Sequence, residues 1–137
     1  MNPKPKFEKM EAVVRGDAAL RFRYFSADGT RQCVIGGLVA AMPRSARLRR
    51  LLSGVQADGV SIRAMELRDA RRRLERFYGV GDGVLVDLQY INDNIPRLAA
   101  RRRFLLRFLA LLAKGGDSNA AYTQTRVEAV GQGAWKT

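Results

Sequence analysis

Apolar residues recur at helical spacing through most of this chain, and that periodicity limits what it can fold into more than any other feature. Between Pro96 and Lys114, Leu98, Leu105, Phe108, Leu109 and Leu112 form one stripe, and Gly115 and Gly116 follow as a stop. From Ser61 to Tyr78, Leu67, Ala70, Leu74 and Phe77 share a face, with Ser61 placed to cap the helix and Gly79 to end it. Arg44 to Ser53 offers Leu48, Leu51 and Leu52 opposite Arg47 and Arg50, and Phe7 to Arg15 reads as a short helix closed by Gly16. Val84 to Ile95 fits a helix through Val84, Leu88, Ile91 and Ile95, or a strand through Val84, Val86, Leu88 and Tyr90. Asp82, as a cap, favours the helix.

Two stretches depart from this pattern. Ala19 to Phe25 alternates, with Leu20, Phe22 and Tyr24 on one side and Arg21 and Arg23 on the other. Asp28-Gly29 then offers a turn into a returning strand, Thr30 to Val34. Cys33 to Met42 is small and apolar and reads as a buried helix, although Gly36 and Gly37 each weaken helix by about 1 kcal/mol. Such glycines suit a place where another element packs close to the backbone. The expected fold is therefore mainly α, a compact helical bundle with one small N-terminal β-hairpin. One domain is expected over residues 1–116, followed by a polar tail, 117–137, mobile apart from Trp135.

Charge is the second constraint. The 25 Lys and Arg outnumber 13 Asp and Glu, for a net charge of +12. Residues 44–81 hold the largest share, with a net of +6. A basic helical surface favours polyanions or acidic proteins, and Arg suits bidentate phosphate and carboxylate contacts better than Lys. A GC-rich genome alone would also favour Arg at basic positions. Arg71, Arg72 and Arg73 fan over about 200° of their helix, and Asp69 and Glu75 stand where they can pair with them. Arg101, Arg102 and Arg103 are harder to neutralise. They sit in the first turns of their helix, where the macrodipole disfavours cations, and no acid lies between Pro96 and Lys114. Arg103 shares the polar face with Arg107, while Arg101 and Arg102 flank the apolar stripe. Asp87, Asp93 or an external anion are the candidate partners.

The absence of His removes imidazole catalysis and Cys/His zinc sites. Neither phosphate-loop glycine pattern occurs, and Asp82, Asp87 and Asp93 are not spaced to share one helix face. No cofactor and no metal are expected. Cys33, the single cysteine, is a small buried hydrophobe or, at the start of a helix, a thiol with a depressed pKa. Asn92-Asp93-Asn94 reads as a cap for the Pro96 helix. No signal peptide or membrane span is visible, and the Arg97 to Lys114 stripe is needed for the core and not for a bilayer surface. The expected location is cytoplasmic.

Asp28-Gly29-Thr30-Arg31-Gln32-Cys33-Val34-Ile35-Gly36-Gly37-Leu38, then Phe77-Tyr78-Gly79-Val80 and Ile91-Asn92-Asp93, resembles a pattern in small bacterial and phage proteins of unknown function. The pattern is a Cys-x-x-Gly-small-aliphatic segment, a later Tyr-Gly, and an Asn-Asp ahead of a closing helix, over residues 28–112. The resemblance implies a phage or prophage accessory protein and carries no activity or site with it. The Arg-rich helices lie outside the pattern.

These features lead to a non-enzymatic basic module that contacts nucleic acid or a nucleoprotein complex through Arg-rich helix faces. Arg101, Arg102, Arg103 and Arg107 are the first candidate contacts, and Arg47, Arg50, Arg72 and Arg73 the second. Phosphates would dominate such contacts. The alternative is a phage-type inhibitor or adaptor that binds an acidic protein and blocks a host defence or nucleic-acid-processing complex. A third reading makes Cys33 a thiol catalyst. The breadth of the apolar stripes also leaves room for a homodimer through a helix face.

Overall fold

A computed structural model describes residues 5–16, 19–57 and 68–136. Seven helices occur among them: α1 (Pro5–Gly16), α2 (Val34–Ala40), α3 (Ala46–Leu52), α4 (Arg68–Tyr78), α5 (Asp82–Asn94), α6 (Leu98–Ala113) and α7 (Ser118–Gly131). The mainly helical expectation holds. The Ser61 cap, Leu67 and the first half of the expected Ser61–Tyr78 helix lie outside the described residues, as do residues 1–4.

Two helices organise the packing. The short α2 buries Val34, Ile35, Gly36, Gly37, Leu38 and Val39, and meets α1, α3, α4 and α5. The long α6 packs against α1, α5 and α7, burying Phe104, Leu105, Phe108, Leu109 and Leu112. Spacing explains each inward face: Phe7, Met10 and Val14 in α1, Ala70, Leu74 and Tyr78 in α4, and Leu85, Leu88 and Ile91 in α5. Tyr78 is buried because its hydroxyl finds an acceptor, donating to Leu38 O at 2.7 Å.

Gly36 shows why a helix this central carries adjacent glycines. A Cβ there would collide with Tyr24 O and come within 3.0 Å of the Tyr24 carbonyl carbon. The backbone of the 19–34 segment therefore lies directly on α2, which only glycine permits.

The expected N-terminal hairpin does not form. The turn does: Gly29, at φ +73°, donates to Ser26 O, and Asp28 Oδ1 accepts from Ser26 Oγ, Thr30 N and Thr30 Oγ1. These bonds hold the Asp28 carboxyl down at about 2. Beyond the turn, the Phe25 to Gln32 bridge is isolated and no ladder develops among the described residues. The reason is Phe22, whose φ of +66° breaks the alternation. The two arms keep three backbone bonds, Ser26 N to Arg31 O, Cys33 N to Tyr24 O and Leu20 N to Gln32 O. The first arm also bonds to the segment after α3, as Tyr24 N donates to Val55 O, Gly54 N to Phe25 O and Ala57 N to Phe22 O.

The expected mobile tail is also replaced. Residues 118–131 form α7, capped by Asp117 Oδ1, which accepts from Ala120 N at 2.9 Å. Ala121, Thr125 and Ala129 are buried at four-residue steps, and Thr125 satisfies its hydroxyl on Ala121 O. Trp135 then packs edge-on to Tyr122, and Lys136 N donates to Asn94 O. Three stripe residues are corrected as well: Leu51 is 63 % exposed, Leu98 41 % and Phe77 36 %. Leu51 follows Arg47 by four residues, so it shares the arginine side while Leu52 turns inward.

Gly36→Ala is expected to cost about 1–3 kcal/mol through overpacking, whereas Gly131→Ala, with open space around it, should stabilise by roughly 0.5–1 kcal/mol. Urea unfolding of both variants checks the contrast. Equal midpoints would mean that Tyr24 does not lie against α2.

Candidate functional site

The first set of candidate contacts, on α6, separates into different roles. Arg101 is 3 % exposed and is no surface contact. Its Nε donates to Ile95 O at 2.9 Å and its Nη2 to Pro96 O at 3.0 Å, where α5 ends. A cation at the unfavourable end of its own helix thus serves the favourable, C-terminal end of the preceding one. Burial and then the charge of Arg21 lower its pKa, while the charge of Asp93 offsets them. Arg107 forms a bidentate pair with Glu128 on α7, at 2.9 and 3.0 Å. Its neutralising partner comes from the segment expected to be mobile. Arg102 is half-buried, with its Nε enclosed and without a hydrogen bond. Arg103 is exposed, lies 4.9 Å from the Phe104 ring centroid and donates to Gln132 Oε1 at 3.3 Å.

The second set occupies neighbouring helices. Leu52 of α3 and Ala70, Arg71 and Leu74 of α4 line one small cleft over Ile35 and Val39 of α2. Arg73 reaches back from α4 to the carbonyls of Pro43 and Arg44, at 3.1 and 3.3 Å, and ties α4 to the α2–α3 connection. Arg71 is half-neutralised by Glu75 at 3.4 Å. In contrast, Arg47 and Arg50 on α3 and Arg72 and Arg76 on α4 are exposed, and among the described residues their guanidinium groups make no ion pair or hydrogen bond. Arg76 was not among the sequence candidates. Its place one turn beyond Arg72 and Arg73 was the available signal.

Beside this surface runs an open apolar cleft of about 660 Å³, lined by Lys9, Val13, Ala40, Phe77 and Tyr78 among others. Phe77 continues into a hollow of about 330 Å³ with Met42, Pro43, Arg73 and Arg76. The Lys9 ammonium stands 4.8 Å from the Phe77 ring centroid. Cations and an accessible aromatic ring therefore border one depression.

The polar cluster Asn92-Asp93-Asn94 is mainly internal and does not cap the Pro96 helix. Asn92 Oδ1 accepts from Val34 N at 3.2 Å, and its Nδ2 donates to Leu20 O at 2.9 Å. Asp93 Oδ1 accepts from Phe22 N and Gln89 Nε2, each at 2.8 Å, and from Asn92 Nδ2 at 3.2 Å. Gln89 Nε2 also donates to Ala57 O, and Gln89 Oε1 accepts from Cys33 Sγ at 3.3 Å. Asn94 donates to Tyr90 O within its own helix. Burial raises the Asp93 pKa against the opposing effect of these donors and of Arg21.

Cys33 caps α2, with its Sγ accepting from Gly36 N. The helix start does not produce a reactive thiol, because complete burial outweighs that bond and pushes the pKa up to about 12. Among the described residues no group of His, Cys, Asp or Glu is arranged to hold a metal ion, and no helix is long and apolar enough to cross a membrane. No protein-family model, curated protein or solved structure matches this chain.

Asp93→Ala removes the acceptor of Phe22 N and one of the two acceptors of both Gln89 Nε2 and Asn92 Nδ2. It is expected to cost about 1–3 kcal/mol, whereas Asp93→Asn keeps an Oδ1 acceptor and should cost less. Because the folded pKa lies above the ordinary 3.8, the folded state holds this proton longer than the unfolded chain. Its contribution is full below pH 3.8 and is lost as pH rises through the folded value. Urea unfolding across that range should show the decline flattened in Asp93→Asn, and an unchanged slope would remove Asp93 as its source. Cys33 should stay unalkylated by iodoacetamide until denaturant is added; rapid labelling of the folded protein would contradict its burial.

Proposed function

We propose that this protein is a non-enzymatic basic binding module that contacts nucleic acid, alone or in a nucleoprotein complex, through the arginine faces of α3 and α4. The observation that carries this reading is the set Arg47, Arg50, Arg72 and Arg76. These four guanidinium groups are exposed on neighbouring helices with no internal acceptor among the described residues. Exposed guanidinium groups without an internal acceptor can take phosphates, which accept the bidentate donors that Arg presents. Arg73 helps to hold the α2–α3 connection against α4, and Arg103 offers a further contact on α6. Affinity would come from the backbone of the nucleic acid, with counterion release and little reading of sequence. A cytoplasmic location and the resemblance to phage and prophage accessory proteins both accord with such a role.

A second reading, an adaptor or inhibitor that binds an acidic protein, is favoured by Leu51. It is largely exposed on α3, four residues from Arg47 and next to Arg50. An apolar side chain among arginines suits a protein surface with an apolar pocket and an acidic rim. Co-purification of a host protein that survives nuclease treatment and is lost in Leu51→Ala would establish it.

Polarisation titrations with duplex DNA, single-stranded DNA and RNA over a salt series test the first reading. Binding should weaken steeply with salt, and Arg47→Glu/Arg50→Glu or Arg72→Glu/Arg76→Glu should each lower affinity at least about tenfold and flatten the salt slope by about 2. Arg107→Glu should lower stability through loss of the Glu128 pair and leave the slope close to that of the unaltered protein. No binding at low salt would overturn the proposal.

A further inference from the structure

Phe22 combines three features that do not belong together in a purely structural residue. Its backbone is left-handed, at φ +66°. Its side chain is 41 % exposed. Two cations stand over its ring, with the Arg21 guanidinium 5.3 Å and the Lys136 ammonium 5.6 Å from the centroid. Left-handed backbone suits glycine, tolerates asparagine, and is strained for a bulky side chain. If position 22 served only to turn the chain, glycine would do so without strain and without exposing a large apolar surface.

The strain is held in place from below. Phe22 N donates to Asp93 Oδ1 at 2.8 Å, and Phe22 O accepts from Ala57 N at 2.7 Å. Both backbone groups are therefore fixed by elements far away in sequence, and the ring stands away from the core. The two cations are anchored too. Arg21 donates through Nη1 to Asp93 O at 3.2 Å, and the Lys136 backbone donates to Asn94 O. The Asp93 carboxylate beneath them is buried within hydrogen bonds, so the outward charge is set by the cations. Local strain maintained by long-range contacts at an exposed group is a pattern found at binding sites.

We infer that Phe22 is a stacking platform for an unpaired nucleobase, with Arg21 and Lys136 close enough to meet the neighbouring phosphates. An aromatic ring close to two cations matches the chemistry of a single strand, which offers alternating bases and phosphates. A duplex keeps its bases stacked on one another and would meet the cations alone. This inference rests on the nucleic-acid reading above and narrows it to single-stranded segments.

The test compares a short oligo-dT strand, an abasic strand of equal length and a matched duplex, each titrated against the full chain and its Phe22 variants. Phe22→Gly should unfold at the same or a higher urea concentration, yet bind oligo-dT about tenfold more weakly, while its affinities for the abasic strand and the duplex change less than about twofold. Phe22→Trp should retain or strengthen oligo-dT binding. Phe22→Asn, also compatible with left-handed backbone, should repeat the glycine result. Unchanged oligo-dT affinity in Phe22→Gly, with salt-dependent binding intact, would overturn the platform and leave the arginine faces standing. Marked destabilisation of both Phe22→Gly and Phe22→Asn would also overturn it, since the ring would then be structural. If the unaltered protein binds none of the three probes at low salt, both readings fall.

Discussion

The fold depends on one buried polar junction near the C-terminal end of α5. Residues 19–33, ahead of α2, form neither helix nor sheet, so much of their backbone has no regular partner. Burying such groups without hydrogen bonds would cost more than this small core could offset. Gln89, Asn92 and Asp93 remove that cost by bonding to Leu20, Phe22, Val34 and Ala57 from a single helix face. Gly36 completes the arrangement by letting the Tyr24 carbonyl rest on α2. The irregular segment is thereby as firmly placed as the helices around it, and the left-handed Phe22 is a consequence of that placement.

The positive charge is sorted by the same tertiary contacts. Arg101 is drawn inside by the carbonyls of Ile95 and Pro96, just past the end of α5, which it supplies with donors. Arg107 is matched by Glu128, and the resulting pair helps seat α7 on α6. Burial lowers the pKa of Arg101, whereas Glu128 raises that of Arg107 and is itself lowered by it. Arg47, Arg50, Arg72 and Arg76 stand outside this accounting. Their guanidinium groups are exposed and have no internal acceptor among the described residues, which is why the proposed contact surface lies on α3 and α4 and not on α6.

Periodicity made the helices legible. Leu74, Leu88, Phe108 and their neighbours repeat at a spacing that no strand can use, and the helices lie near where those repeats place them. The apparent clash between two glycines and a buried helix pointed correctly to a close backbone approach. Hydropathy misled where burial was achieved by other means. Ala121, Thr125 and Ala129 form a narrow stripe of small residues that reads as polar, although Asp117 was a visible cap. Leu20, Phe22 and Tyr24 alternate as a strand would, yet the positive φ of Phe22 leaves no trace in residue type. Asn92 and Asp93 stood out as a cluster, but the groups they bond lie some seventy positions away.

The sequence by itself determined a helical, strongly basic chain without imidazole chemistry, because residue counts and short-range spacing are properties of the chain alone. Only the tertiary structure decided which arginines bond within the fold and which stand exposed with no internal acceptor among the described residues. A guanidinium is internal or available according to which carbonyls and carboxylates lie within hydrogen-bonding distance, and those acceptors come from distant parts of the chain. The same holds for Asp93, Cys33 and Phe22, whose chemistry is set by burial and by backbone geometry that residue identity does not encode.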